Sequence, residues 1–194
     1  MQRINYPQPT EWEEILKRPT QTVSDIEEIV NSIFKEVQAE GDTVIKKYTA
    51  QFDKVSLESL LVNDAEIDNA SNSVSDALKQ AITLAKSNIE KFHAAQKTSK
   101  VEVETMPGVE CWQEKRPIQK VGLYIPGGTA PLFSTILMLA IPATLAGCKE
   151  IVLCSPPDKN GEINPAILYT AQLCGVTQIF KVGGIQAIAG MTFG

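Results

Sequence analysis

The sequence predicts an α/β fold, in which an N-terminal helical region and a β-hairpin precede an incomplete Rossmann-like parallel βαβαβ domain. Apolar side chains recur at helical spacing across residues 23–96, and they alternate with polar ones between Val101 and Cys111. From residue 120 onward, strand-like apolar runs are followed by Gly- or Pro-rich turns and then by helical segments. This order is typical of parallel strands joined by right-handed crossovers.

Three regions are expected along the chain. Residues 1–22 are polar and contain a short helical piece from Glu11 to Lys17, as in an arm that docks on another surface. Residues 23–119 are expected to form the helical part of a first domain, with the hairpin, and polar residues 114–117 mark its end. Residues 120–194 are expected to form the Rossmann-like domain. Three parallel strands would leave the last edge and much of one face exposed, so we expect further chain to complete this domain.

The helical region contains recognisable start and stop signals. Ser24 and Glu27 have the spacing of a capping box at the start of the first long helix. Gly41 is expected to end that helix and Asp42 to cap the next one. Residues 64–96 show an unbroken apolar stripe, which predicts a single long helix with a partly exposed His93 beside the stripe.

The elements that follow are separated by strong turn signals. Pro107 and Gly108 lie between two alternating runs and predict a hairpin turn. The three predicted strands are Val121–Ile125, Ile151–Cys154 and Gln178–Val182. The predicted helices are Pro131–Ala146, Asn164–Cys174 and one that starts near Ile185. Gly147 and Gly175 are placed to end the first two of these helices.

Composition narrows the classes of function. The net charge of -5 disfavours a nucleic-acid partner, because phosphate binding requires a basic face. The N-terminus lacks the apolar core of a signal peptide, and the most apolar stretch, 132–145, is too short and too polar to span a membrane. We therefore expect a soluble, cytoplasmic protein.

Metal and nucleophilic chemistry have little support in these residues. There is one histidine, His93, and no pair among the four cysteines has C-x-x-C spacing. Buried, reduced thiols are the simplest interpretation of the cysteines, which are Cys111, Cys148, Cys154 and Cys174. No metal ligand and no catalytic residue is predicted within the chain.

The turns after the strands are the candidate binding positions, because ligands of parallel α/β sheets bind at the carboxyl ends of the strands. In the segment from Tyr124 to Pro131, glycines allow close approach of a ligand, Thr129 can cap the following helix and Pro131 suits its first turn. A tight turn that binds nothing explains this segment equally well. Gln186 follows the third strand, where its amide could bind a cofactor or simply face water.

The usual dinucleotide motif is absent. The sequence has no G-x-G-x-x-G, and the second strand ends in Leu-Cys-Ser without an acid for a ribose hydroxyl. Cys154 at that strand end is conceivable as a nucleophile, although an inert thiol is the simpler interpretation.

Longer segments resemble a known family. Residues 116–157 read RPIQKVGLYIPGGTAPLFSTILMLAIPATLAGCKEIVLCSPP, and residues 172–194 read QLCGVTQIFKVGGIQAIAGMTFG. Both segments resemble the histidinol dehydrogenase family almost throughout. The upstream segments NIEKFHAAQK and VETMPGVECWQEKRP resemble it too. The similarity is long, ordered and nearly free of gaps, and it corresponds to the N-terminal portion of that family.

The resemblance implies an enzyme that oxidises L-histidinol to L-histidine, through an aldehyde, with two NAD molecules. This is the last step of histidine biosynthesis, and members of the family are homodimers that need zinc. In the family, the tyrosine of the G-L-Y-I-P-G-G turn and the glutamine of the G-G-x-Q-A-I-A turn contact NAD, and these correspond to Tyr124 and Gln186. The zinc ligands, a Glu-His pair that handles protons and a substrate-binding serine lie further along the family's chain. The chain alone is therefore expected to be inactive.

Two alternatives remain open from the residues. One is a stand-alone binding or assembly module that uses the arm and the exposed sheet edge. The other is an aldehyde dehydrogenase-like enzyme of similar architecture, which would require an activated cysteine.

Overall fold

The computed structural model describes residues 4–17, 23–128 and 130–193, without the side chains of residues 23–25. The described residues form two compact units, Met1–Ser32 and Ile33–Gly194. The helices are α1 (Trp12–Ile15), α2 (Val23–Glu40), α3 (Asp42–Phe52), α4 (Asp64–Ser73), α5 (Asp76–Ala94), α6 (Phe133–Ala146), α7 (Pro165–Leu173) and α8 (Gly184–Phe193). The strands are β1 (Val101–Met106), β2 (Val109–Gln113), β3 (Lys120–Tyr124), β4 (Glu150–Ser155) and β5 (Gln178–Lys181).

The first unit contains the short helical piece that the sequence predicts. A 3-10 turn, Pro9–Glu11, leads directly into α1. The Glu11 carboxylate accepts a hydrogen bond from the backbone N–H of Gln8 at 2.7 Å, which satisfies a donor at the start of the turn. Helix α2 begins at Val23, but the side chain of Ser24 lies outside the described residues, so its capping box stays a prediction.

The junction between α2 and α3 differs in one detail from the prediction. Helix α2 ends at Glu40, as the glycine that follows it predicts. Gly41, with φ of 57°, is itself the N-cap of α3, and Asp42 is the first helical residue. Asp42 therefore does not cap the helix. Its negative charge is still favourable in the first turn, because that end of the helix dipole is positive.

The prediction of one helix over residues 64–96 is wrong, because the chain breaks between α4 and α5. Val74 has extended backbone, and the Ser75 side chain accepts a hydrogen bond from the backbone N–H of Leu78 at 3.4 Å. Ser75 thus starts a new helix. The apolar stripe continues across the break because Ala70, Val74 and Ile82 all reach buried positions.

The hairpin forms where the sequence predicts it. Strands β1 and β2 pair antiparallel, with Val103 opposite Cys111, and Gly108 has the positive φ of 81° that the tight turn requires. All residues of both strands are exposed.

Strands β3, β4 and β5 form a parallel sheet in that order. Because side chains alternate between the faces of a strand, each strand contributes to two cores. Leu123, Leu153 and Ile179 belong to the larger core, together with residues of α4 to α7. Tyr124 and Cys154 belong to the smaller core, together with residues of α2, α3 and α8. The larger core draws on both predicted main regions, 23–119 and 120–194. The three-region division itself stays a prediction.

One edge of the sheet is covered by a segment that the sequence analysis missed. Leu61 bridges Phe180 in antiparallel orientation. The backbone N–H of Val62 donates to the carbonyl of Ile179 at 2.9 Å, and the N–H of Lys181 donates to the carbonyl of Leu60 at 2.7 Å. The outer edge of β5 is therefore paired rather than exposed, which corrects the expectation for that edge.

An ion pair joins this edge to α4. The Lys181 ammonium donates to Glu66 at 2.8 Å, and both side chains are largely buried. Glu66 also accepts from the backbone N–H of Asn63 at 2.9 Å, as part of the capping box of α4. Burial acts to raise the pKa of Glu66, but the hydrogen bonds and positive charge of its partners outweigh burial and hold this pKa below its usual value.

The remaining boundaries follow the turn signals closely. Gly147 and Gly175 have positive φ values of 92° and 78° at the ends of α6 and α7, as predicted. Helix α6 begins at Phe133, with Leu132 as its N-cap, so Pro131 precedes the first turn instead of belonging to it. Thr129, the predicted cap, lies outside the described residues. Among the described helices, none combines the length and apolarity needed to cross a membrane.

Candidate functional site

The turns that follow β3, β4 and β5 meet at the carboxyl edge of the sheet, and a proline packs between them. A Cβ atom placed on Gly127, in the first turn, would lie 2.6 Å from Cγ of Pro156. One placed on Gly183, in the third turn, would lie 2.5 Å from Cβ of Pro156. Pro156, in the middle turn, therefore fills the space that a side chain at either glycine would need. These two glycines are explained by packing, which for Gly127 is the ligand-free interpretation that the sequence left open.

A hydrogen bond joins the first and third turns directly. The Tyr124 hydroxyl accepts from the backbone N–H of Gly184 at 3.0 Å. Gly184 is the first residue of α8, and its N–H is one of the donors that a helix leaves unpaired at its N-terminus. Because the tyrosine oxygen accepts this bond, its own hydrogen remains available to donate to another group.

Gln186 is the most unusual polar residue of this edge. Its side chain is completely buried, and neither its amide nitrogen nor its amide oxygen has a hydrogen-bond partner. An unpaired buried donor or acceptor costs about 1–3 kcal/mol, so native proteins rarely leave one. The sequence allowed Gln186 to face water, and its burial makes that interpretation wrong.

The Gln186 amide lies close to Gly184, which brings the two predicted cofactor-binding residues to one place. A Cβ atom on Gly184 would lie 2.8 Å from Oε1 of Gln186. Tyr124 and Gln186 are 62 positions apart in the sequence, yet both contact or approach Gly184. The site therefore combines a hydroxyl with a free hydrogen and a carboxamide with free donor and acceptor groups.

Two open spaces lie on this part of the protein, and Gln186 lines the first of them. A groove of about 300 Å³ runs along the α8 face of the sheet, and Gln186 lines it together with apolar Val152, Phe180 and Val182. A second cavity of about 290 Å³ lies between the first two turns. Most of the residues that line the groove are apolar, with Asp42, Lys120 and Glu150 also along it, and a mainly apolar concave space with a few polar groups is typical of small-molecule sites.

The second cavity contains an acid that the sequence analysis did not consider. Asp158, three residues beyond the end of β4, lines this cavity. Its Oδ1 accepts from the backbone N–H groups of Asn160 at 2.8 Å and Glu162 at 3.0 Å, which stabilises the loop. Asp158 is therefore explained by its own loop without any ligand.

Cys154 does not have the surroundings of a nucleophile. It is buried, and burial raises its pKa to about 11, so the thiolate is scarce near neutral pH. This argues against the aldehyde dehydrogenase-like alternative. Cys174 is also buried, whereas Cys148 is half-buried and Cys111 is exposed; all four thiols are free.

Metal-ligating side chains do not gather in the described part of the chain. No group of three or more His, Cys, Asp or Glu residues lies close enough there to hold an ion. His93 is half-buried on α5, and its Nδ1 is hydrogen-bonded to the Gln96 side chain at 2.7 Å. This agrees with its interpretation as a partly exposed helix histidine.

Comparisons with known proteins identify the family. A family model described as histidinol dehydrogenase matches residues 16–194. The chain belongs to the histidinol dehydrogenase family. The histidinol dehydrogenase of Bacteroides thetaiotaomicron is 58% identical over 194 residues, which are 100% of this chain and 45% of that protein. The histidinol dehydrogenase of Escherichia coli K12 is 54% identical over 182 residues, which are 93% of this chain and 41% of that protein.

The structure supports the same conclusion. A crystal structure of histidinol dehydrogenase from Elizabethkingia anophelis is similar, with a TM-score of 0.90 and 55% identity, over 97% of this chain and 43% of that one. The resemblance and the α/β fold class predicted from the sequence are thus confirmed. The chain spans less than half the length of the histidinol dehydrogenases that it matches.

Proposed function

We propose that this chain forms one flank of the NAD site of an enzyme that oxidises L-histidinol to L-histidine through the aldehyde. The observation that carries the proposal is the buried, unpartnered amide of Gln186 beside the Tyr124 hydroxyl. Membership of the histidinol dehydrogenase family supplies the reaction class.

The side chains of this edge fit a nicotinamide dinucleotide. Such a cofactor offers a carboxamide, hydroxyls and phosphate oxygens, which can pair with the free donor and acceptor of Gln186. The Tyr124 hydroxyl can donate its hydrogen to an oxygen of the same ligand while it still accepts from Gly184. Binding would thereby remove the free-energy cost of leaving the Gln186 amide unpaired.

The roles of these residues in the reaction are binding and orientation. Each bound NAD would supply the acceptor for one hydride, so the two oxidations, of the alcohol carbon and of the hydrated aldehyde carbon, would use two NAD molecules in turn. Tyr124 and Gln186 would hold the cofactor against the carboxyl edge of the sheet. The apolar wall of the groove, with Val152 and Phe180, would exclude water from the neighbourhood of the Gln186 amide.

Zinc does not fit the described residues, since they contain no cluster of ligands. We therefore assign no step to zinc on this chain, and propose that the zinc ligands and the groups that handle protons belong to further chain of the whole enzyme. On this proposal residues 1–194 alone do not oxidise histidinol. We also propose that the whole enzyme is a cytoplasmic homodimer and binds neither nucleic acid nor membrane.

A chimera tests the function. Residues 1–194 would replace the matching 45% of the Bacteroides thetaiotaomicron relative. We expect the chimera to produce NADH from L-histidinol and zinc, and we expect Tyr124→Ala and Gln186→Ala to raise its KM for NAD. Glu102→Gln, on the exposed hairpin, is the control. A folded, zinc-loaded chimera that produces no NADH would contradict the proposal.

The isolated chain tests the expected inactivity. Purified residues 1–194 should produce no NADH under the conditions in which the chimera is active. Turnover by the isolated chain would show that the catalytic groups lie within it. It would also favour a stand-alone protein over a part of a larger enzyme.

A further inference from the structure

We infer that Gly184 is a positioning residue, which aligns both Tyr124 and Gln186 for the cofactor. The inference rests on the proposed NAD site, and it concerns how that site is held in shape. Three properties of Gly184 support it, and each concerns a different part of the residue: its backbone conformation, its missing side chain and its N–H group.

The backbone conformation places Gly184 where glycine is strongly favoured. Its φ is 62°, in the left-handed region that L-residues with a Cβ atom rarely adopt. This conformation turns the chain sharply from the end of β5 into α8. The turn directs the first N–H group of the helix towards the end of β3, where the Tyr124 hydroxyl accepts its hydrogen bond at 3.0 Å.

The missing side chain leaves the space that the Gln186 amide occupies. A Cβ atom at Gly184 would lie 2.8 Å from Oε1 of Gln186, and 3.5 Å from both Cδ and Nε2. The first separation is too short for a carbon and an oxygen that are not bonded, so the amide would have to move. Since Gln186 is fully buried, its movement is limited by the residues packed around it.

The N–H group links the two side chains. It fixes the Tyr124 hydroxyl from one side, while the Cα of the same residue borders the Gln186 amide. A single residue without a side chain thus sets the separation between a hydroxyl and a carboxamide that come from different turns. Among the described residues, the Tyr124 side chain has no other hydrogen bond and the Gln186 side chain has none, so no other hydrogen bond could replace this arrangement.

The test compares Gly184→Ala with Gly108→Ala, in the 194-residue chain for NMR and in the chimera with the Bacteroides thetaiotaomicron relative for NADH binding. Gly108 also has a positive φ, of 81°, but a Cβ atom there would meet nothing within 4 Å. Both substitutions therefore introduce backbone strain, and only the first one displaces Gln186. Two readouts are used: the NMR resonances of the Gln186 side-chain amide, and the Kd for NADH measured by its fluorescence.

We expect Gly184→Ala to shift the Gln186 side-chain resonances and to raise the Kd for NADH by about tenfold or more. Gly108→Ala should change neither. Unchanged Gln186 resonances and an unchanged Kd in Gly184→Ala would overturn the inference. If the unsubstituted chimera does not bind NADH, the proposed NAD site is wrong, whereas the positioning role is still decided by the Gln186 resonances.

A second variant covers the case in which Gly184→Ala does not fold. Tyr124→Phe removes the acceptor of the Gly184 N–H group without adding any atom. We expect faster hydrogen exchange of the Gly184 amide in this variant. Exchange at the wild-type rate would show that the hydrogen bond to Tyr124 does not hold this residue, and would overturn that part of the inference.

Discussion

Replacing Gly127 by alanine should destabilise the protein, because Pro156 occupies the space of the new methyl group. The added Cβ would lie 2.6 Å from Cγ of Pro156, but 3.6 Å from its Cβ and 3.8 Å from its Cδ. Favourable carbon–carbon contacts are about 3.5–4.0 Å long, so one atom causes the clash. Overpacking of this kind costs about 1–3 kcal/mol. Gly127 is outside the left-handed region, so alanine adds no backbone strain there.

The structure predicts which second substitution repairs this loss. Pro156→Ala removes Cγ and keeps Cβ, so the closest remaining atom to Ala at position 127 would be at the ordinary distance of 3.6 Å. Gly183→Ala is the matched control, because its clash at 2.5 Å is with Cβ of Pro156, which alanine retains. Pro156→Ala by itself should cost about 0.4–1 kcal/mol, through the greater freedom of the unfolded chain.

Double-mutant cycles measure the difference. Urea unfolding of the single and double variants, followed by far-UV circular dichroism, gives each free energy of unfolding. We expect a favourable coupling of about 1–2 kcal/mol between Gly127→Ala and Pro156→Ala, and one below about 0.5 kcal/mol between Gly183→Ala and Pro156→Ala. Equal couplings in the two cycles, or a Gly127→Ala variant as stable as the wild type, would refute the packing of Pro156 between the turns.

Two further predictions follow from buried groups. Lys181→Met should lower the free energy of unfolding at pH 7 by about 1–3 kcal/mol, because Glu66 loses a charged hydrogen bond. The pKa of Glu66 is lowered in the folded protein, so this stabilisation should be present above the unfolded-state pKa of about 4.3 and disappear as the pH falls below it. If Lys181→Met still lowered the free energy of unfolding at low pH, the ion pair would be contradicted. At pH 8, iodoacetamide should modify exposed Cys111 readily and leave Cys154 and Cys174 largely unmodified, because burial raises their pKa values to about 11. Peptide mass spectrometry measures this order, and faster modification of Cys154 than of Cys111 would contradict its burial.

Local signals in the sequence were sufficient for the order of the elements. Gly147 and Gly175 mark helix ends because few residues other than glycine adopt their left-handed conformation. Pro107 and Gly108 predict the hairpin for a similar local reason, because both residues favour a tight turn. These features depend on neighbours in the chain, so periodicity and turn chemistry are enough to find them.

Features that depend on distant contacts were missed. The pairing of Leu60–Val62 with β5 joins residues more than 110 positions apart, and its sequence contains no signal for this partner. The break at Val74 was not predicted because both helices bury the same apolar stripe. The helical spacing of apolar residues therefore continues through the break. Ser75, a favoured N-cap residue, was the available local signal.

In the candidate site, too, one part could be predicted from the sequence and another part could not. The family resemblance pointed to Tyr124 and Gln186, but the sequence contained no sign that Gly184 lies between them. Likewise, the glycines of the Tyr124–Pro131 turn were explained equally well by ligand approach and by a tight turn that binds nothing, and only the position of Pro156 shows that Gly127 accommodates a neighbouring ring. Close packing between separate turns cannot be read from the spacing of residues within one turn.

The most direct test of the account is a titration of the 194-residue chain with NAD, followed by NMR. The backbone amide of Gly184 and the side-chain amide of Gln186 report on the candidate site, and the amide of Gly108 in the exposed hairpin is the internal control. We predict saturable shifts of the Gly184 and Gln186 resonances, with the Gly108 resonance unchanged. Shifts confined to other parts of the protein, or no shift at millimolar NAD, would contradict the assignment of this edge as one flank of the NAD site.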